Sequence, residues 1–425
     1  MQYNFNICEF FAGVGGSHLG FLSNGFKSVY VNDIDDEMLK TLTFNNPELQ
    51  NSIVDNSSIT DIDPQNLKDK LKQNNVNDID VIFGGIVCKG FSLAGERSPN
   101  DSRNHFYEYY LNIVKELQPK VSIIENVKGL LTAQILPLNT PKNILEKVDN
   151  LWQELENFKG KKSELRKKNL ITEEFEKYGI DLRRKKKLLV QEISIYTKKV
   201  IDDIVKIYNE IGYNVEYKVL NSAWYGSSTK RERLIIVATR KDLKGKFEFP
   251  FPEYNDISIN TKMDFKICNN EINLNFKSPI TIREALNKIN YEDSNDVDNI
   301  PMKHNLKTIE RFKYIKEGEN IQSNMENVPD SLKISKFYSR GNTMRLKFDG
   351  LAPTLVPGHS NFPIHPVEHR SITVREAATI TGFPLNYKFF GSHSKRCEQV
   401  GNAVPPPLSY AIAKSVKDFL INQNT

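Results

Sequence analysis

The amino-acid sequence predicts an α/β protein built around a doubly wound, mostly parallel sheet. Short apolar runs alternate with helical stretches up to about residue 130, at NICEFF, SVYVND, DVIFGG and VSIIEN. This alternation is typical of parallel strands joined by helices. The pattern resumes after a charged segment, with YNVEYKVLN and RLIIVATR. The charged segment is therefore interpreted as a helical insertion into one domain.

The composition is that of an ordinary globular protein. The 425 residues include 58 Lys+Arg and 53 Asp+Glu, a formal net charge of +5, and 39% are hydrophobic. These values exclude a collagenous, a wholly disordered or a disulfide-stapled protein. No window approaches the roughly 18 consecutive apolar residues of a membrane span, and the start, MQYNFNICEFFAGVGG, lacks the pattern of a signal peptide. We expect a cytoplasmic protein without membrane contact.

The positive charge is concentrated in one segment. Residues 141–199 contain 16 basic and 10 acidic residues, a net charge of +6, so the rest of the chain sums to −1. Apolar residues between Ile144 and Leu155 have helical spacing, which predicts an amphipathic helix pair with a break near Gly160. Two interpretations remain open: a solvated helical insertion, or an arm that contacts phosphates through residues 183–187.

The predicted domain organisation follows from a change in the sequence pattern near residue 245. Residues 246–384 are rich in turn residues and lack strand–helix alternation, which predicts a second, smaller domain. The tail QVGNAVPPPLSYAIAKSVKDFLI has a triple proline followed by an amphipathic helix. We predict a catalytic domain of residues 1–245 plus 385–425, a charged helical insertion at 138–200, and a small domain at 246–384.

A candidate cofactor site follows the first strand. The run Phe11-Ala12-Gly13-Val14-Gly15-Gly16 permits a tight turn and close approach of a ligand to the backbone. The second strand ends at Asp33, where a carboxylate can accept hydrogen bonds from ribose hydroxyls. These two features fit NAD, FAD and S-adenosylmethionine equally. His18, on the helix after the loop, is expected to be a surface polar residue.

Candidate catalytic residues lie at the ends of later strands. Cys88 follows DVIFGG on a glycine-flanked loop, and Lys89 beside it would favour its thiolate. Glu125 ends the VSIIEN strand and lies near Cys88 if the two strands are neighbours. Arg231 and Arg233 open the RLIIVATR strand at a spacing of two, which predicts that they point to the same side. The four cysteines are far apart and lack zinc spacing, so no metal is expected.

In this order, the motifs closely resemble the DNA cytosine-5 methyltransferase family. FAGVGGSHLGF resembles the family's cofactor loop, GGIVCKGFS its nucleophile loop, ENVKGL its acid motif and KRERLIIV its paired-arginine motif. ITVREAATITGFP and QVGNAVPPPL resemble its two closing motifs. The resemblance covers roughly residues 5–130, 200–240 and 345–415. It implies a Rossmann-like, S-adenosylmethionine-dependent sheet, with residues 246–384 as a target-recognition domain.

The resemblance also implies catalytic roles. Cys88 would add as a thiolate to carbon 6 of cytosine, because carbon 5 is too weak a nucleophile to take a methyl group directly. Glu125 would protonate N3 from a water-poor pocket, with Asn126 placing the loop. Arg233 would hold the carbonyl oxygen of the base, whereas Arg231 would brace the loop or meet a phosphate.

By the same resemblance, S-adenosylmethionine is the methyl donor, with no metal. Asp33 would bind its ribose, and Ser58 would contact its adenine unless Asp55 or Asp61 substitutes. The complete set of expected cofactor-binding residues is Phe11, Ala12, Gly13, Val14, Gly15, Gly16, Asp33, Ile34, Ser58, Ile59, Asn402 and Val404.

The implied partner is double-stranded DNA from which the target cytosine is flipped. Ser92, Lys89 and Arg103 are candidate DNA contacts on or after the nucleophile loop, and Arg340 is one in the small domain. Solvated or capping side chains are the alternative interpretation for Ser92 and Arg103. A bacterial or phage modification system is expected, with a cognate restriction endonuclease as a candidate partner and a monomeric enzyme.

Three departures from the family pattern keep alternatives open. Val87 and Lys89 replace the usual proline and glutamine around the nucleophile, and Ser228-Thr229 replaces the Pro-Gln before the arginines. A tRNA methyltransferase of the same family and a catalytically silent DNA-binding relative are the alternatives. An NAD oxidoreductase would explain only the glycine loop.

Overall fold

The computed structural model describes residues 5–86, 98–168, 170–254, 276–334, 341–358 and 362–423. The strands in the described residues are β1 Phe5–Phe10, β2 Phe26–Asn32, β3 Ile53–Asp55, β4 Val81–Gly84, β5 Val121–Asn126, β6 Gln134–Ile135, β7 Lys198–Lys199, β8 Tyr213–Asn221, β9 Thr229–Lys230, β10 Glu232–Arg240 and β11 Ala352–Pro353.

The helices of the same residues are α1 Gly16–Ser23, α2 Asp36–Asn45, α3 Pro64–Gln73, α4 Phe106–Leu117, α5 Lys142–Lys167, α6 Glu173–Ile193, α7 Val200–Glu210, α8 Ile282–Leu286, α9 Leu306–Phe312, α10 Val374–Thr381, α11 His393–Asn402 and α12 Pro406–Ile421.

A seven-stranded sheet forms the centre of the molecule, in the order β3-β2-β1-β4-β5-β10-β8. The first five strands in this order run parallel, while β10 pairs antiparallel with both β5 and β8. The order reverses direction between β1 and β4, which creates the switch point at which open α/β sheets bind ligands. The predicted fold class, including the placement of β4 beside β5, is confirmed.

Helices cover both faces of this sheet. On one face, Cys8, Ile82 and Ile124 pack against α3, α4 and α7. On the other face, Ile7 and Ile123 pack against α1 and α12. Consecutive residues of one strand face opposite sides, so near-continuous apolar runs are needed to bury both faces. This requirement explains why the strands read as unbroken apolar runs in the sequence.

The charged segment folds into a helical hairpin, α5 and α6, with its own small core. The β6 and β7 strands pair antiparallel at its base. Its interior contains Val148, Trp152, Leu155, Phe158 and Leu182. We refer to residues 142–193 as the hairpin.

The predicted break at Gly160 is wrong. The α5 helix continues through Gly160 to Lys167, and α6 begins at Glu173 after an N-cap at Thr172. A glycine costs a helix only about 1 kcal/mol relative to alanine. Apolar packing on the residues before it, including Phe158, outweighs this cost.

The region after residue 245 contains short elements among its described residues. One apolar cluster there joins Ile282 of α8 and Ala377 of α10 to Val14 and Met38 of the amino-terminal part, and continues to Val400 of α11. A shared core therefore crosses residue 384, the predicted domain boundary. This core holds the carboxyl-terminal elements against the glycine loop.

Candidate active site

Glu125 and Arg233 form an ion pair at the carboxyl edge of the sheet. Glu125 lies near the end of β5 and is directly opposite Ile235 of β10 in the antiparallel register. Its Oε1 atom lies 2.8 Å from Nε of Arg233, and both side chains are 11% exposed. Pairing a carboxylate with a guanidinium offsets the cost of removing each charge from water. The predicted acid and the predicted oxygen-binding arginine are thus brought together.

Asn126 connects this strand end to the chain leading to Cys88. Its side-chain amide donates a hydrogen bond to the carbonyl oxygen of Ile86 at 3.1 Å, and its Oδ1 atom accepts one from the backbone of Val127 at 2.8 Å. Cys88 itself, with Lys89 and Ser92, lies outside the described residues. The described contacts therefore show where the chain enters the nucleophile loop, at the same edge as Glu125.

Gly85 lies between the glycine loop and the glutamate. A Cβ atom added at this position would lie 3.3 Å from the carbonyl oxygen of Phe11 and 4.0 Å from Oε2 of Glu125. The cofactor loop and the acid therefore approach one point, which only a hydrogen atom occupies. The sequence pattern indicates this glycine only as a flank of the Cys88 loop and not as a site residue.

The glycine loop has the geometry of a ligand cradle. Gly13 and Gly15 have φ values of +55° and +84°, a region that side chains other than glycine rarely adopt. Oδ2 of Asp33 accepts a hydrogen bond from the backbone N–H of Gly13 at 2.8 Å, and Oδ1 accepts one from Asp35 at 3.0 Å. A Cβ added to Gly13 would meet no described atom within 4 Å, so the space beside this residue is open.

Asp33 is held as a buried acceptor at this cradle. Burial raises the pKa of Asp33 above its usual value, although the hydrogen bonds from Asp35 and Gly13 act in the opposite direction. Each carboxylate oxygen has a second lone pair, so both can still accept hydrogen bonds from ribose hydroxyls. The neighbouring Ile34 is 68% exposed and offers an apolar surface beside this carboxylate.

The other residues of the glycine loop pack against the rest of the protein and hold the loop in place. Phe11 stacks on Phe106 with ring centroids 6.1 Å apart. Ala12 and Val14 are buried, at 5% and 1% exposure. The hydroxyl of Tyr387 donates a hydrogen bond to the carbonyl oxygen of Val14 at 2.5 Å. Nothing local in the sequence indicates Tyr387, because the two residues lie at opposite ends of the chain.

The carboxyl-terminal closing motif packs directly on the first helix. A Cβ added to Gly16 would lie only 2.1 Å from the carbonyl oxygen of Val404, so glycine is required for this approach. The hydroxyl of Ser409 donates to the carbonyl oxygen of Gly16 at 2.7 Å. The predicted cofactor residue Val404 is thus beside the loop, while Asn402, next to it, is exposed.

Arg231 and Arg233 have different partners. Nη1 of the buried Arg231 donates to the carbonyl oxygen of Gly401 at 2.9 Å, and its Nη2 donates to that of Asn402 at 3.1 Å. Of the two roles left open for Arg231, the geometry favours bracing over a phosphate contact, and the braced segment is the closing motif.

The expected adenine-binding residues follow β3. Ser58 is half-buried and shares a 2.8 Å hydrogen bond with the hydroxyl of Thr60, and Ile59 is buried. Asp55 accepts hydrogen bonds from the hydroxyl of Tyr30 at 2.8 Å and from the backbone of Ser57 at 2.8 Å. These bonds occupy the carboxylate of Asp55 in holding β3 to β2.

The expectation that His18 lies on the surface is wrong. The side chain is 1% exposed, with Nδ1 at 2.7 Å from Oε1 of Glu9 and Nε2 at 3.0 Å from Oε1 of Glu48. The amphipathic pattern of a short helix does not reveal a carboxylate on the adjacent strand. A glutamate within an apolar strand was the available signal that a buried cation lies nearby.

The expected DNA contacts are mostly beyond the described residues. Arg103 is described: it is 43% exposed at its side chain and pairs with Asp101, its Nη2 atom 2.5 Å from Oδ2. Asp101 also accepts the backbone N–H of Arg103, so both residues form a local cap. Arg340, like Lys89 and Ser92, falls outside the described ranges.

Within the described ranges, no group of three or more His, Cys, Asp or Glu side chains is arranged to hold a metal ion. Nor does any helix in this part of the chain combine the length and apolar character needed to cross a membrane.

The fold and the site are those of a doubly wound α/β protein with a glutamate–arginine pair beside an open glycine loop, at the edge where such sheets bind ligands. Comparison with known proteins identifies the family: the model of the C-5 cytosine-specific DNA methylases matches residues 5–153 and 190–418. The chain belongs to this family and is a DNA cytosine-5 methyltransferase.

Relatives of established class match nearly the whole chain. The type II methyltransferase M.Eco47II of Escherichia coli is 29% identical over 98% of this chain and 79% of its own length. The type II methyltransferase M.DdeI of Desulfomicrobium norvegicum is 27% identical over 99% of this chain and 90% of its own length.

Solved structures share the fold. A DNA modification methyltransferase encoded within a prophage of E. coli superposes with a TM-score of 0.63 at 21% identity, covering 98% of this chain and 100% of its own. The DNMT2 protein of Spodoptera frugiperda superposes with a TM-score of 0.53 at 15% identity, covering 97% of this chain and 100% of its own. These similarities support the methyltransferase fold.

Proposed function

We propose that the protein transfers a methyl group from S-adenosylmethionine to carbon 5 of a cytosine flipped out of double-stranded DNA, through a covalent bond between Cys88 and carbon 6. The observation that carries the proposal is the Glu125–Arg233 pair, 2.8 Å apart, next to the glycine loop across Gly85. A carboxyl group and a guanidinium thus lie side by side, next to the loop that we propose binds the methyl donor.

The residues of the cradle fit S-adenosylmethionine. This donor carries an activated methyl group on a positively charged sulfur, together with an amino acid, a ribose and an adenine. Asp33 would accept the ribose hydroxyls, and the open space at Gly13 would admit the amino-acid end. Ile34 would contact one face of the adenine, while Ser58 and Ile59 border its edge.

The first chemical step uses Cys88 and Glu125. The Cys88 thiolate forms a bond to carbon 6 while N3 takes a proton from Glu125, which leaves a neutral enamine. Arg233 donates to the carbonyl oxygen of the base, on which negative charge would otherwise build up. When the base enters, the Arg233 guanidinium shifts its hydrogen bond from Glu125 to that oxygen. This exchange frees Oε1 of Glu125 to carry the proton.

The remaining steps restore the enzyme. Carbon 5 of the enamine would take the methyl group as the methyl–sulfur bond of the donor breaks and its electron pair stays on sulfur, and ordered water would then remove the proton from carbon 5. The electrons of that C–H bond re-form the ring double bond, the Cys88 thiolate is expelled, and N3 returns its proton to Glu125. Asn126 positions the chain at Ile86, where the segment that contains Cys88 begins.

The setting that we propose is a bacterial or phage modification system, since the relatives M.Eco47II and M.DdeI are named type II methyltransferases. In such a system the enzyme acts as a monomer on DNA in the cytoplasm, alongside a cognate restriction endonuclease with the same recognition sequence.

Methyl transfer from radiolabelled S-adenosylmethionine to DNA and to tRNA tests the substrate. We expect label in DNA, and bisulfite sequencing of DNA from expressing cells would then locate the methylated cytosine. We further expect a stable complex with DNA containing 5-fluorocytosine, which the Cys88→Ser variant does not form. Label in tRNA alone would refute the DNA substrate, and absence of the complex in the parent protein would refute the covalent step.

The acid role of Glu125 predicts a specific kinetic defect. Glu125→Gln removes the proton for N3, and general acid catalysis contributes roughly 100- to 10,000-fold to a rate. We expect kcat to fall within that range, with little change in the KM for S-adenosylmethionine. Glu232→Gln is the matched control, because Glu232 is adjacent to Arg233 in the chain but its carboxylate pairs with Lys128 at 3.4 Å. Exposed ion pairs of this kind contribute about 0.2–1 kcal/mol to the stability of a protein. Loss of the pair should therefore disturb the structure little, and we expect near-normal kcat for the control.

A further inference from the structure

We propose that the hairpin binds the phosphate backbone of DNA beside the target base, through a stripe of three cations on α6. The stripe consists of Lys177, Arg184 and Lys187. This inference rests on the proposed function, because it adds a backbone contact to an enzyme that acts on DNA.

The hairpin rises from the catalytic edge of the sheet. It is inserted between β5, which ends at Asn126, and α7, which returns along the sheet to β8. A crossover helix begins at the edge where the preceding strand ends. The base of the hairpin therefore lies at the same edge as Glu125 and Arg233, where the DNA must approach.

Hydrogen bonds attach the base of the hairpin to the chain that follows the nucleophile loop. The backbone N–H of Leu136 donates to the carbonyl oxygen of Pro99 at 3.1 Å. The side-chain amide of Asn100 lies 3.0 Å from each carboxylate oxygen of Asp149 on α5. These contacts hold α5 close to the catalytic edge rather than leaving the hairpin on a free linker.

The cations of the hairpin fall into two groups. One group is neutralised by carboxylates within the hairpin, as in the pairs Lys147–Glu192, Lys162–Glu176, Lys168–Glu164 and Lys185–Asp181. The second group consists of exposed cations that form no ion pair with the described residues; it includes the stripe and also Lys142, Lys161, Arg166 and Arg183. Spacings of seven and three residues place the members of the stripe on one face of α6, along about 15 Å of helix.

The stripe lies entirely in the part of the chain that the family model does not match. That model covers residues 5–153 and 190–418, and the stripe falls in the gap between them. The neutralised cation Lys147 lies inside the matched part, whereas Lys177, Arg184 and Lys187 belong to an addition in this chain. The stripe is therefore separate from the common catalytic motifs of the family.

Charge complementarity points to DNA as the partner. Residues 141–199 have a net charge of +6, while the rest of the chain sums to −1. Uncompensated cations beside a DNA cleft attract phosphates and release counterions. Two exposed apolar residues, Ile180 at 59% and Leu188 at 56%, flank the stripe and would suit a protein partner instead. The two partners differ in the salt dependence that they predict.

The test compares the salt dependence of DNA binding in the parent and in the Arg184→Gln/Lys187→Gln variant, with a mixed-sequence duplex. Each lost phosphate contact reduces the slope of log K against log salt by about 0.9, so the double variant should lose about 1.8. The KM for S-adenosylmethionine and the free energy of unfolding should stay near the parent values, because both side chains are exposed.

The matched control is Lys72→Gln/Lys115→Gln, which removes the same charge. Both lysines are exposed and lie near the carboxyl ends of α3 and α4, at the opposite edge of the sheet. We expect the control to keep the parent slope. An equal loss in both variants, or no loss in either, would overturn the proposal.

Two further outcomes distinguish DNA binding by the hairpin from binding of a protein partner and from the proposed methyl transfer. If the double variant differs from the parent in sedimentation but not in the salt dependence of DNA binding, the proposed DNA contact is overturned. A protein partner on the face that contains Ile180 and Leu188 is then favoured. If the parent and the double variant differ in slope as expected but the parent transfers no methyl group to DNA, the proposed function is refuted. The DNA contact of the hairpin is then still supported.

Discussion

At the scale of single residues, Gly85 allows the glycine loop and Glu125 to lie close together. Its missing side chain allows the carbonyl of Phe11 and the carboxyl group of Glu125 to approach one point. A strand that ends in two glycines is usually read as a flexible exit from a sheet. Here Gly84 has a similar packing constraint, because an added Cβ would lie 2.5 Å from the ring of Tyr110.

This position predicts a local loss of activity. In Gly85→Val the new side chain meets Phe11 and Glu125, and overpacking of this kind costs about 1–3 kcal/mol. We expect kcat/KM for S-adenosylmethionine to fall by roughly 10- to 100-fold, since 1.4 kcal/mol corresponds to a factor of ten. Steady-state kinetics would measure the change.

The matched control for Gly85→Val is Gly160→Ala in α5. An added Cβ at Gly160 meets no described atom within 4 Å. This variant should keep full activity and gain up to about 1 kcal/mol of helix stability. Equal activity in both variants would show that the space at Gly85 is not needed for catalysis.

At the scale of elements, a buried ionic network attaches α1 to β1. Burial on its own lowers the pKa of His18, but the charge of Glu9 and the hydrogen bonds to Glu48 and Glu9 outweigh it and raise the pKa to about 9. The hydroxyl of Ser28 also donates to Glu9, at 3.1 Å. The helix that begins at the glycine loop is therefore held by a protonated histidine.

This network predicts that stability depends on alkaline pH. The folded-state pKa of His18 lies above its ordinary value of 6.5, so its contribution is fully present below about pH 6.5 and is lost as the pH rises through about 9. A shift of this size corresponds to about 3 kcal/mol. Urea unfolding of the parent between these pH values should show the decline.

The variant His18→Gln isolates this contribution. Its free energy of unfolding should be lower than that of the parent at neutral pH, and the difference should shrink as the pH rises through about 9. Subtracting the two curves removes the titration of other lysines and tyrosines. A difference that stays constant with pH would contradict a charged His18.

At the scale of the whole molecule, the carboxyl-terminal segment closes on the amino-terminal cofactor loop. Arg231 donates to the carbonyl oxygens of Gly401 and Asn402. Val404 touches Gly16, and α12 packs along α1. The glycine loop is therefore supported by residues from both the amino-terminal and the carboxyl-terminal parts of the chain.

Closure by Arg231 predicts a defect in cofactor binding. Lysine cannot reproduce the planar fork that reaches two carbonyl oxygens, so Arg231→Lys should lose at least one charge-assisted hydrogen bond. Such a bond contributes about 1.5–3 kcal/mol, which predicts a rise of tenfold or more in the KM for S-adenosylmethionine.

Two measurements distinguish this closure from a DNA contact. The salt dependence of DNA binding should be unchanged in Arg231→Lys, because the side chain is buried away from phosphates. Arg240→Lys is the control, since Arg240 pairs with Asp242 on the surface at 2.7 Å. A reduced salt slope in Arg231→Lys would instead assign the arginine to a phosphate.

Local patterns in the sequence determined the strands, the doubly wound class and the ordered motifs, and they indicated the candidate reactive residues. Apolar runs and glycine turns reflect short-range geometry, so they can be recognised from the sequence alone. The length of α5 was misjudged because the core of the hairpin, which outweighs Gly160, is contributed partly by α6.

Only the tertiary structure decided which of those residues act on one another. It placed Glu125 against Arg233, put His18 between two carboxylates, and connected Arg231 to a carbonyl 170 residues further along the chain. Such contacts depend on strand order and on which elements cover each face. The physical reason is that a buried charge is stable only beside its partner, and folding brings that partner from a distant part of the sequence.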